Sequence, residues 1–230
     1  MTTNLRISLT VLSIGFAIEG GGELYTLATP GVAHPGANIW FVVPAVLSLI
    51  GVLFVWIGRH EWNEVHLHRA QSATRIFALS LLGGVVTALL LGLLVAYPSI
   101  GTPLWAEVLF GAGLASLLFG TFVTYAYLVF HLVTVPSKVV LAAAVVWALF
   151  ISAFITLSLA SDLPTILGLI RNRTLSVPSF ISPVEALVSY LFVSYFLLLA
   201  AYFEAHVLVA RGRVADPGGA SPPSPPTTPN

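Results

Sequence analysis

The chain is expected to be all-α, a polytopic integral membrane protein in which six transmembrane helices form one bundle. Three observations predict this. Of its 230 residues 57% are hydrophobic and 8% charged, against about 45–50% and about 25% in soluble domains. The mean hydropathy is +0.97, so the polar cover that a water-facing surface needs is missing. The apolar residues also run in long unbroken stretches, and about 20 such residues in a helix cross a hydrocarbon slab about 30 Å thick. A membrane barrel would show short alternating segments instead.

The spans are read in order. The first runs from Leu5 to about Ala28 and is the weakest, because Glu19 and Glu23 flank Gly20-Gly21-Gly22. Each glycine costs a helix interior about 1 kcal/mol relative to alanine, so this span has a natural stop near Ile18. Arg6 followed by an apolar run also fits a signal peptide, but no A-x-A-like cleavage site follows it. The second span covers Asn38 to Gly58 and the third Thr74 to Tyr97. The fourth runs from Leu104 to Val133, the fifth from Lys138 to Ala160, and the sixth from Pro183 to Ala210. Residues 1–215 thus form one transmembrane domain. After Asp162-Leu163-Pro164 an apolar stretch to Ile170 reads as a short helix lying in the membrane interface. From Asp216 to Asn230 the chain is too rich in proline and too poor in apolar residues to pack, and is expected to be a disordered cytoplasmic tail.

Basic residues set the orientation. Arg6, Arg59, Arg69, Arg75, Lys138, Arg211 and Arg213 fall at one end of the spans, leaving two, Arg171 and Arg173, at the other. Cytoplasmic loops are enriched in Lys and Arg, so a cell-membrane location with both termini cytoplasmic is expected. The even span count agrees.

Acidic and histidine residues carry what chemistry there is. Glu19, Glu23, Glu107 and Glu185 fall in or near the outer half, with no Lys or Arg in that half of the same spans. A carboxylate in that setting must be protonated, hydrated or paired, so the four are candidates for binding a proton or cation. For Glu107 and Glu185 a position in a first helical turn, favoured by the helix dipole, is the simpler account.

At the inner end lie His60, His131 and His206. His131 and His206 each close an Ala-Tyr-x-x-x-His segment, at residues 126–131 and 201–206. An aromatic also precedes His60 by four residues, so three repeated hairpins of about 65–75 residues are an alternative description of the bundle. If the second span stays helical past Gly58, steps of about 100° bring His60, Glu61, Glu64 and His68 within a quarter turn. His60, Glu64 and Glu204 with His131 or His206 are then candidate ligands for a transition metal. The competing account is a solvated helix end with pairs such as Glu64 and His68. His60-Glu61 begins like the zincin motif H-E-x-x-H, but Glu64 stands where the second histidine belongs, and no protease is inferred.

No P-loop, dinucleotide fingerprint or nucleophile motif is present, and without cysteine there are no thiolate sites. A non-catalytic accessory or assembly module of a membrane complex is therefore expected, and not an enzyme. A small proton- or cation-coupled transporter or channel using Glu19 and Glu23 is the alternative, and a metal- or haem-binding protein using His60, His131 and His206 the third. No cofactor is expected. The partners are the lipid bilayer and a membrane protein or second copy, with no role for nucleic acid. Two small-residue stripes, Gly84-Ala88-Gly92 and Ala112-Ser116-Gly120, predict close helix contacts.

Overall fold

The computed structural model describes residues 3–28, 46–47, 50–54, 57, 64–172 and 187–211. Among them all regular secondary structure is helical. We number the helices α1 (Thr3–Ala28), α2 (Glu64–Ala96), α3 (Leu104–Val129), α4 (Val135–Ser161), α5 (Leu163–Asn172) and α6 (Phe192–Ala210). A 3₁₀ turn at Pro98–Ile100 and Gly101, at φ 67°, turns the chain between α2 and α3. Five segments are long and apolar enough to cross a membrane: Arg6–Ala28, Gln71–Ala96, Leu104–Val129, Val135–Ser161 and Leu187–Ala210. On α2, Leu79, Leu82, Val85 and Leu89 are each more than half exposed, a surface that only lipid or another protein accommodates. The architecture is compatible with a helical membrane protein.

The expected second span lies mostly outside the described residues, as do Glu185 and the tail from Asp216. Its described part is helical and packs on α1. Ser8 Oγ donates to the Gly51 carbonyl (2.9 Å), and the side chain of Leu12 fills the space beside Gly51.

The first span reaches its expected end, and the start of the third differs from the sequence reading. α1 continues through the three glycines to Ala28, because Gly20 is where α1 approaches α6: an added Cβ would lie 3.2 Å from Tyr195 Cβ. Close approach offsets the helical cost of glycine there. Glu64 to Arg69, in turn, belong to the start of α2, not to the end of the second span. From Glu61 to Leu82 there is neither glycine nor proline, so nothing stops the third span's helix from extending back beyond Thr74.

The core runs through the bundle between α1, α3, α4 and α6, with Leu12, Phe16, Val129, Leu141, Leu198 and Tyr202 almost wholly buried. α2 packs chiefly on α3 along small residues. A Cβ on Gly83 would sit 2.7 Å from Ser116 Cβ and 2.8 Å from the Gly113 carbonyl, and one on Gly113 would strike Thr87. Gly120 faces Ser80 in the same way, and Gly84 rests on Leu117. The predicted stripe on α2 is thus divided: Gly84 serves the α3 contact, whereas Ala88 and Gly92 face outward.

α5 is the short helix expected after Asp162. Its Leu163 and Leu167 are fully buried among Leu90, Leu94, Ala106 and Phe110, closing the end of the α2–α3 hairpin. Arg171 Nη2 donates to the Leu94 carbonyl in the last turn of α2, where cationic donors complement unpaired carbonyls.

Candidate functional site

Spacing alone puts Phe16, Glu19, Gly20 and Glu23 on one face of α1. That face meets α6. Because Gly20 has no side chain, the ring of Phe196 comes within 3.5 Å of its Cβ position, and Tyr195 reaches across to Glu19. The Tyr195 hydroxyl donates to Glu19 Oε1 at 3.3 Å. Glu23, one turn on, is only 7% exposed. Both carboxylates therefore lie within the span and inside the protein, not on its lipid face.

Aromatic rings close the inner side of this pair. Phe16 meets Tyr125 edge-on with centroids 5.0 Å apart and Tyr202 likewise at 4.9 Å, and Phe122 stands 5.4 Å from Tyr195. Tyr202 is fully buried and donates to the Tyr125 carbonyl at 2.8 Å. An apolar wall on one side and one phenol donor on the other are suited to holding a proton or cation on Glu19, since bare charge is costly there.

Of the other expected carboxylates, Glu107 stands apart from this pair. Glu107 lies in the first turn of α3, about 22 Å along that helix from Phe122 at 1.5 Å per residue. It takes the dipole-favoured position that the simpler account gave it. Glu185 lies outside the described residues.

At the other end of the spans the described members of the histidine group have partners of other kinds. Glu204 Oε1 accepts from Thr134 Oγ1 at 2.7 Å and from the Thr134 backbone N–H at 3.4 Å, so α6 braces the N-terminus of α4. His131 stands between aromatic rings, with centroids 5.9 Å from Tyr127 and 5.2 Å from Phe130. His206 is half-buried on α6. His60 and the side chain of Glu64 lie outside the described residues. Among the described residues no three His, Cys, Asp or Glu side chains come together closely enough to hold a metal ion. The two Ala-Tyr-x-x-x-His segments are used differently, Tyr202 being fully buried while Tyr127 borders an open groove.

Sequence reasoning missed Tyr195 as the partner of Glu19 and Thr134 as the partner of Glu204. Neither carries a local signal, because each pairing joins residues from distant spans. No family model matches the chain, and comparison with curated proteins and with solved structures returned no match.

Proposed function

We propose that the chain is a non-catalytic accessory or assembly module of a membrane complex, threaded as six spans with both termini cytoplasmic. The count adds the partly described second span to the five long helices, and the one-sided distribution of basic residues supports the orientation. One observation carries the functional reading. Ala88, Gly92 and Ala96 follow each other at single-turn spacing on α2, all exposed, and a Cβ added at Gly92 meets nothing within 4 Å. Between membrane helices, association rests on close packing at small residues, so this bare stripe suits a helix of a partner or of a second copy. The bundle's own α2–α3 contact uses the other face of the same helix.

A pull-down from native membranes tests this. Wild-type protein is expected to retain a stoichiometric companion, and Gly92→Leu to lose it while melting in detergent at an unchanged temperature. A companion held equally by Gly92→Leu, or none held by the wild type, would overturn the reading.

The Glu19–Tyr195 pair with buried Glu23 supports a second reading, a small proton- or cation-coupled transporter. Proteoliposomes under an imposed potential are then expected to show proton or cation flux that Glu19→Gln abolishes. Equal flux through both proteins, or flux no greater than in empty liposomes, removes this reading. A third reading, a metal- or haem-binding protein, draws on His131 and His206 together with His60.

A further inference from the structure

A groove of about 530 Å³ opens between α3 and α4 on the side where the start of α2 meets them. Its floor is apolar and lies within the spans, where Ala126, Leu141 and Val146 line it. Its mouth is of opposite character. Arg69 and His131 line the groove just beyond the spans Gln71–Ala96 and Leu104–Val129, and Lys138 stands in the first turn of α4. Phe130 joins two of these groups. Its ring touches that of His131 and lies 5.3 Å beneath Lys138 Nζ, a cation–π arrangement that keeps the ammonium at the groove's edge. Among the described residues no carboxylate lines the groove.

We infer that this groove binds an anionic phospholipid, its phosphate held by Arg69, His131 and Lys138 and one acyl chain laid against Ala126, Leu141 and Val146. Charge and depth argue for it together. Two full positive charges and an imidazole donor stand at the groove's mouth, at the depth of a phosphodiester; no carboxylate among the described residues lines the groove, and Glu204, which reaches the start of α4 from α6, is engaged by Thr134. Directly below, the wall is apolar and open on the side of Val146, which is 65% exposed, so a chain enters sideways from the leaflet. A soluble phosphate would use the mouth but not the floor, and a neutral lipid the floor but not the mouth.

Native mass spectrometry of the full chain in detergent, with dioleoyl phosphatidylglycerol or dioleoyl phosphatidylcholine added, tests the assignment. Phosphatidylglycerol is expected to bind about tenfold more tightly, from two or three basic groups at the membrane surface. Combined replacement of Arg69, His131 and Lys138 by Ala should bring it to the phosphatidylcholine level, and Val146→Trp should weaken both lipids by filling the groove. Arg69→Gln alone serves if the triple variant fails to fold, and should reduce the preference severalfold. Arg171→Gln, at the opposite end of the spans, should preserve it. Equal binding of the two lipids, a preference that survives Arg69→Gln, or displacement of the lipid by inorganic phosphate would each overturn the proposal.

Discussion

Gly83→Leu is expected to separate α2 from α3 and leave the protein unable to reach its native fold in detergent. Even the first carbon of the new side chain would lie 2.7 Å from Ser116 Cβ and 2.8 Å from the Gly113 carbonyl. One of these is backbone and cannot swing away, so the helices must part, and the small-residue contacts at Thr87–Gly113 and Ser80–Gly120 part with them. Overpacking usually costs about 1–3 kcal/mol, and a backbone obstacle places this case at or beyond the upper end. Gly83→Ala should already lower the melting temperature. Gly92→Ala is the control: its site is open, and alanine's better helix propensity, worth about 1 kcal/mol, should leave stability equal or raised. Thermal unfolding of the three variants, followed by circular dichroism, decides the matter. Equal melting of Gly83→Ala and Gly92→Ala would refute the tight crossing.

Tyr202→Ala is expected to be nearly as damaging, and Tyr202→Phe mild. The ring is fully buried and meets Phe16 edge-on, while the hydroxyl makes one bond to a backbone carbonyl. Removing a buried aromatic leaves a cavity and costs about 3–5 kcal/mol. Removing only the hydroxyl sacrifices a hydrogen bond worth about 1 kcal/mol net. In a membrane the lost contacts are those of dispersion and not of water exclusion, so the alanine cost belongs near the lower figure. Comparable losses from the two variants would mean that the bond, not the packing, secures α6 against α3.

How far the structure was legible in the sequence depends on the range of the forces involved. The spans from Leu104, Lys138 and Thr74 were legible because burial in lipid acts on every residue of a stretch, and composition sums it. The short helix after Asp162 was legible for the same local reason, through its apolar face and Pro164. The reach of the first span to Ala28 was legible, but not why its glycines are tolerated, because helix propensity is local while the gain at Gly20 comes from Tyr195, 175 residues away. Glu19, Glu23 and Glu204 stood out in the sequence as rare charges in apolar stretches. Their company was not legible: Glu204 found a threonine and Glu19 a tyrosine, residues too common in membrane helices to stand out.

The α2–α3 hairpin bears on the order of assembly. Its helices are joined by a short turn and meet through neighbouring segments of chain, so little loop entropy opposes their pairing. The contacts that build the Glu19 pocket join α1 to α6 and wait for the last span to be made. The hairpin is therefore expected to close early, and the carboxylates to remain unsheltered in the bilayer until synthesis is nearly finished. In that interval Gly20 has no neighbour to repay its flexibility, and the unfinished chain is at its most vulnerable.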